Sequence, residues 1–402
     1  MDSSISMGGV DHRLITLRFL PYFLLLTVSF LLWLSALTIQ KPYTSLMDHN
    51  PFDQHTRQAQ SWLHGRVDLD QAPSYLEIAA FEGRSFNSFP PTPSLIEVPL
   101  VLLFGNATPS YLLQYLFAVL ALFSLYELGV KMHLRKTWAA TLSLCFIFGT
   151  NVLVSMVTAG VWAQGQIYGF CLAVCGLRWI SSRPVFSYFV LSLAVGCRPF
   201  YFLYLPFLFV LDHHWGNRNP ARIVRTIVWS FFPYVIIIAL YNWGRFHNPI
   251  EFGHSYLPWS RQLKNGIFSL AYLPSNFFHS FINLPTLGGK TRFLEFHGRG
   301  TAFVLNNPIV ALGIAGLSSP FLRKEIRGAA ILVLLAVWFC LLLHESNGWF
   351  QFGLRYSIDI APIAALGAIA ALRSFRRSRT ILSLALFSVC INFYGLWWLT
   401  FQ

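Results

Sequence analysis

Phe19 to Ile39 contains no charged residue, and neither does Ile381 to Gln402. An apolar run of about 20 residues, wound as a helix, crosses about 30 Å of hydrocarbon. In hydrocarbon only helices and closed barrels satisfy every backbone polar group. Runs of this length therefore confine the chain to a helical membrane protein. Composition agrees: 55% of the 402 residues are hydrophobic and 11% are charged, too few charges for a soluble surface of this size.

The net charge of +13 would suit nucleic acid, but its distribution argues against that. Lysine and arginine fall in short clusters between apolar runs: Lys131–Arg135–Lys136, Arg218–Arg222–Arg225, Arg323–Lys324–Arg327 and Arg373–Arg376–Arg377–Arg379. Such clusters mark cytoplasmic loops. With the N-terminus inside, they all fall on the cytoplasmic side if the chain crosses about eleven times. The short apolar stretch 92–107 contains Pro99 and reads as a half-helix or a tilted one. The expected fold class is thus an all-α polytopic membrane protein, one domain over 1–402. Two extracytoplasmic loops, 41–91 and 242–300, would carry juxtamembrane helices. The first apolar run is too long for a signal-peptide core and lacks a small-residue cleavage site, so it reads as a retained helix. The six cysteines (145, 171, 175, 197, 340, 390) lie in or beside apolar runs and form no disulfide framework. Cys171 and Cys175 have no histidine or acid beside them, which argues against a metal site.

The loop after the first helix collects acids: Asp48, Asp53, Asp68, Asp70, Glu77, Glu82 and Glu97. Carboxylates beside a bilayer call for a chemical reason. Asp48 and Asp53 precede an expected amphipathic helix whose apolar face would hold Ala59, Trp62 and Leu63. Either acid could act as a general base toward an acceptor hydroxyl, and Asp53 could equally cap the helix that begins at Gln54. Phe89-Pro90-Pro91-Thr92-Pro93 then opens an apolar helix, where prolines are tolerated in the first turn.

An acid after the first helix, a polar juxtamembrane region and a Pro-Pro pair opening the next helix resemble the GT-C glycosyltransferases. The likeness is greatest to the family 39 branch, which includes protein O-mannosyltransferases and lipid A aminoarabinose transferase. Ala59–Gly65 is similar to its "A-x-x-L-L-x-G" helix end, and Gly196-Cys197-Arg198-Pro199 to a corner of a later helix. Tyr241–Phe246 with Pro249 and Glu251-Phe252-Gly253 resembles a "YN-x-x-RF-x-x-P-x-EFG" stretch, and Phe352–Tyr356 with Asp359 resembles the "RY" start of a late helix. The resemblance implies a sugar carried on a polyprenyl phosphate. It also implies transfer outside the cytoplasm with inversion, and a first-loop acid as base. Two features depart from it. Asp53 and Asp48 lie six and eleven residues before Ala59, where the family has Asp-Glu at eight. Phe89 stands where the family often has lysine before Pro-Pro, so Arg84 is a candidate replacement.

Arginine suits a lipid phosphate because its planar fork stays charged and binds in a bidentate way. Arg198, Arg245 and Arg355 sit at outer helix ends and join Arg84 as candidate donor-phosphate ligands. Candidates for contact with substrate are Glu82, expected to share the site of Arg84, with Gln164, Gln166, His344, Glu345, Asn347, Trp349 and Tyr356. Tyr256, Trp259 and Tyr272 could stack on sugar. No ligand spacing decides whether a divalent cation takes part. Expected partners are a polyprenyl-phosphate-linked sugar, a lipid, glycan or protein acceptor, and membrane lipids. The expected location is a bacterial plasma membrane with the site facing outward. Two other classes stay open. A transporter or lipid flippase would show mid-span charges or matching halves. A polysaccharide ligase or polymerase would use Arg245, Glu251, His254, Arg261 and Lys264 of the second loop.

Overall fold

The computed structural model describes residues 12–40, 45–158, 160–288, 293–348, 351–374 and 378–401. Trp349, Arg376 and Arg377 therefore lie outside the described residues. In chain order the helices are α1 His12–Gln40, α2 Gln54–Leu63, α3 Thr92–Phe104, α4 Ser110–Lys131, α5 Lys136–Phe148, α6 Asn151–Thr158, α7 Val161–Trp179 and α8 Pro184–Val195. They continue with α9 Leu205–Trp215, α10 Pro220–Ser230, α11 Phe232–Phe246, α12 Leu273–Phe277, α13 Phe303–Asn306, α14 Pro308–Gly316, α15 Lys324–Leu343, α16 Ala361–Ser374 and α17 Ser378–Thr400. The first loop adds a hairpin, β1 Ile78–Phe81 and β2 Arg84–Asn87. Glu82 and Gly83 form its two-residue turn, both at positive φ, the geometry that matches the twist of paired strands.

α7 and α16 form the centre of the bundle, and from Ala163 to Leu177 every α7 side chain is buried. α1, α10–α11, α15 and α17 surround them with largely uncovered apolar surfaces. Small residues let α14 and α16 approach closely: a Cβ on Gly313 would come within 2.1 Å of the Ala364 carbonyl oxygen. Backbone contact of this kind supports helix association in lipid, where hydrophobic burial contributes little.

Six described helical stretches are long and apolar enough to cross a membrane, or seven if α5 and α6, bent by 56°, form one span. The chain is thus a multi-pass membrane protein, but length and composition do not reproduce eleven crossings. The apolar runs at 185–197 and 199–212 become α8 and α9, of 12 and 11 residues, separated by a six-residue 3-10 turn that starts at Pro199. Asn307 and Pro308 likewise divide α13 from α14, and both are short.

The basic clusters meet at one end of the bundle. Lys131 Nζ donates to the Arg178 carbonyl (3.0 Å), Arg373 to that of His133 (2.9 Å), and Arg218 to those of Ile180 and Ser181. Their sharing of one end agrees with the positive-inside pattern.

Candidate functional site

The site is built on the first loop. Asp53 caps α2, and its Oδ1 accepts the backbone N–H groups of His55 and Thr56, both at 3.1 Å. Its Oδ2 accepts from Ser110 Oγ at 2.6 Å. The capping role read from the sequence is therefore present. The apolar face expected for α2 is not: Gln54, His55, Thr56, Gln58 and Ser61 are buried with Ala59, while Leu63 is exposed.

The polar face of α2 points at α3, where Glu97 is fully buried one turn inside the helix. Glu97 accepts from Thr56 Oγ1 (2.9 Å) and Gln164 Nε2 (3.1 Å), with the buried carboxyl of Asp53 paired beside it. His55 packs beside the pair, bonded to Ser94 Oγ at 3.1 Å; burial pushes its pKa down to about 4, so it is neutral. Replacing Asp53 by Ala should destabilise the protein by about 2 kcal/mol or more, since a lost cap costs about 0.5–2 kcal/mol and buried donors are orphaned as well. A thermal-shift measurement in detergent checks this. Asp48, by contrast, is exposed and accepts the Ser45 N–H at 2.7 Å, so Asp48→Asn should leave the melting temperature unchanged.

Phe89, before the Pro-Pro pair, lies between two imidazoles, with ring centroids 6.0 Å from His55 and 5.5 Å from His254. Past His254 a half-buried polar ring opens, made from five separate segments. Arg198 forms a bidentate pair with Asp359, Nε to Oδ1 at 3.0 Å and Nη2 to Oδ2 at 2.7 Å. Its guanidinium also lies 5.0 Å from the Tyr356 ring centroid. Tyr204 Oη donates to the Asp359 carbonyl at 2.6 Å. The sequence places Gly196 at this corner because a Cβ there would come within 2.1 Å of Thr92 Oγ1, at the start of α3.

Besides Asp359 the ring holds Glu77 and Glu345, and Glu77 is the acid beside Trp162. Burial raises its pKa and outweighs the nearby Trp162 indole and the charge of Arg355, which both lower it. Glu345 is raised too, by burial and by the charge of Glu77, against the pull of Arg299. His254 is pushed down to about 4 by burial and by the nearby His344 and Arg198, with Glu251 opposing. Burial, with Arg198 contributing, lowers His344 as well. Both imidazoles are therefore neutral at pH 7 and available for hydrogen bonds to hydroxyls.

The four candidate arginines separate by partner. Arg198 is held by Asp359. Arg84 is exposed and paired with Asp68 (2.7 Å), which Arg84 and Arg66 hold well below the usual carboxylate range. Arg245 is buried: Nη1 donates to the Asn87 carbonyl (2.6 Å), Nη2 to Asn242 Oδ1 (2.8 Å), and Tyr241 and Phe246 flank it. It braces the hairpin against the end of α11. Arg355 is half-buried and has no carboxylate within ion-pair distance among the described residues, and its Nε is buried without a hydrogen-bond partner. Its backbone is fixed through its N–H to Gln351 Oε1 at 3.2 Å.

Of the other expected residues, Tyr356 and Glu345 join the ring. Gln166 is buried in α7, and its amide has no partner among the described residues. Glu82, at the exposed hairpin turn, faces His247 at 3.5 Å and does not share a site with Arg84. Asn347 is structural, donating to the Asn276 carbonyl and to Ser280 Oγ. Tyr256 stacks on Phe246. Among the described residues no three histidines, cysteines or acids are grouped to hold a metal ion.

Glu77, Glu97 and Trp162 had no assigned role in the site read from the sequence, His254 entered with the ligase or polymerase alternative, and Asp359 entered as part of a family motif. Glu97 did carry a signal, an acid inside an apolar helix. Glu77 carried none, because its neighbours Trp162 and Arg355 come from α7 and from the turn that precedes α16.

No protein-family model and no curated relative matches the chain. Solved structures do. ArnT from Cupriavidus metallidurans, bound to undecaprenyl phosphate, superposes with a TM-score of 0.50 at 13% identity, over 92% of this chain and 63% of that one. The apo oligosaccharyltransferase of Archaeoglobus fulgidus gives 0.50 at 14% identity, over 94% of this chain and 55% of that one. The chain thus spans between half and two thirds of these proteins' lengths and shares their fold.

Proposed function

We propose that this GT-C-fold membrane protein is a glycosyltransferase that takes a sugar from a polyprenyl-phosphate donor and passes it to an acceptor hydroxyl. The observation that carries the reading is the half-buried ring in which Arg355, in no ion pair among the described residues, has its charge felt by Glu77. A free guanidinium and a carboxylate of raised pKa, on elements far apart in sequence, are the two groups an inverting transfer needs. Glu77 takes the acceptor's proton as its oxygen attacks the anomeric carbon. The bond from that carbon to the phosphate oxygen breaks on the opposite face, and the phosphate leaves with the electron pair. Arg355 meets the charge that grows on it. The base expected at Asp48 or Asp53 falls in this reading to Glu77. Asp48 is engaged at Ser45, and Asp53 is sealed in its pair with Glu97.

Arg198 and Asp359 hold the Arg355–Tyr356 turn in place, with Tyr356, Trp162, His254, His344 and Glu345 facing the sugar. Opposite to the basic end, the site would face outward from the bacterial inner membrane. A lipid, glycan or protein hydroxyl could serve as acceptor.

Arg355→Ala should weaken use of the donor by roughly 10- to 150-fold in kcat/KM, the worth of a hydrogen bond to a charged group at about 1.5–3 kcal/mol. Steady-state transfer from a polyprenyl-phosphate sugar in membranes checks this. One observation favours a second reading. The carboxyls of Asp53 and Glu97 lie buried together inside the protein, as acids in proton-coupled transporters do. Movement of a fluorescent polyprenyl phosphate across proteoliposomes, without sugar transfer, would support that reading instead.

A further inference from the structure

From Asn265 to Gly289 the chain contains no Asp, Glu, Lys or Arg, although it lies inside what the sequence presents as a solvated second loop. Leu270 to Ile282 forms one continuous helical run, a 3-10 turn, then α12, then a π turn. Its amphipathicity is inverted. Leu270 is 69% exposed, Phe278 46%, Ile282 53% and Leu287 81%. The polar side chains at helical spacing, Asn276, Ser280 and Asn283, point inward instead. Asn276 Nδ2 donates to the carbonyls of Leu342 (3.0 Å) and His344 (2.6 Å), Asn347 Nδ2 donates to Ser280 Oγ (3.0 Å), and Asn283 Nδ2 donates to the Gly300 carbonyl (2.9 Å). A segment in water would face the other way.

The neighbouring surface identifies what covers it. The run docks on the last turn of α15, whose own outward side chains Leu332, Leu335 and Phe339 are exposed at 67%, 57% and 51%. Ser269 N–H bonds the Leu343 carbonyl at 2.8 Å, so the run starts where that span ends. Its apolar face therefore continues the lipid-facing surface of α15. We propose that residues 268–287 are a membrane-embedded segment, seated in the outer leaflet against lipid acyl chains and not in solvent. An uncharged helix of this kind, with its backbone and polar groups satisfied against the protein, meets the conditions for irregular backbone at membrane depth. It also sets His344 and Glu345 beside the hydrocarbon, where a lipid-linked substrate would enter sideways.

The test places a nitroxide at Ile282→Cys, Leu287→Cys or Gln262→Cys, with Cys340 and Cys390 replaced by Ala, in the full chain in phosphatidylcholine–phosphatidylglycerol nanodiscs. Collision rates with oxygen and with a nickel chelate are compared. The expected result is oxygen exceeding the chelate at 282 and 287 and the chelate exceeding oxygen at 262. Chelate excess at all three positions would overturn the proposal. So would low rates with both reagents at 282 and 287, the mark of a protein cover such as a second copy. The outcome does not depend on sugar transfer, since it reads depth alone.

Discussion

Glu77→Gln is expected to lower sugar transfer by about 10²- to 10⁴-fold, the usual contribution of a positioned general base, with little change in melting temperature. The glutamine fills the same space and keeps a side-chain oxygen toward the Trp162 indole. The pH profile separates this role from a structural one. Burial raises the Glu77 pKa above the ordinary glutamate value. A base works deprotonated, so activity is present above that raised pKa and is lost as pH falls through it, earlier than an exposed glutamate would allow. The Trp162 indole and the Arg355 charge both pull the pKa down. Trp162→Phe and Arg355→Ala should therefore move the acid limb of kcat/KM to higher pH. Asp53→Asn keeps a good helix cap. If it abolished transfer while Glu77→Gln did not, the base would belong to the buried pair.

Breaking the Arg198–Asp359 pair should have the largest effect on stability. Asp359 is 1% exposed, and Arg198 meets both of its oxygens. Arg198→Ala would leave a buried carboxylate without its cation, which costs about 3–5 kcal/mol. The double replacement Arg198→Met with Asp359→Leu should recover most of that loss, because an apolar pair of similar volume is often neutral or better at a buried site. Thermal denaturation in detergent measures both. Transfer should stay low in the stable double variant, since the Arg355–Tyr356 turn loses its anchor.

The legible parts of this fold were those encoded locally. Asp53 before Gln54 reads as a cap, and Pro-Pro before an apolar run reads as a helix start; α2 and α3 begin at those points. The membrane class followed from charge-free runs. What stayed hidden depends on distant partners. The buried face of α2 is polar because Glu97, Ser110 and Gln164, from three later helices, meet it there. Arg245 looked like a phosphate ligand at a helix end until the Asn87 carbonyl, from the hairpin, occupied it. The stretch 265–289 read as loop because its scattered polar residues and short apolar runs match no span. Only the inward bonds of Asn276 and Ser280 reveal which face is apolar.

The most direct test of the account is turnover of a polyprenyl-phosphate-linked sugar. Purified wild-type and Glu77→Gln proteins would be reconstituted in proteoliposomes with decaprenyl-phosphate-linked mannose or arabinose and a membrane extract as acceptor, and released decaprenyl phosphate would be measured. The account predicts release by the wild type from at least one donor, lowered at least about 100-fold in Glu77→Gln. Equal release by both proteins, or donor carried intact across the bilayer with no release, would contradict it.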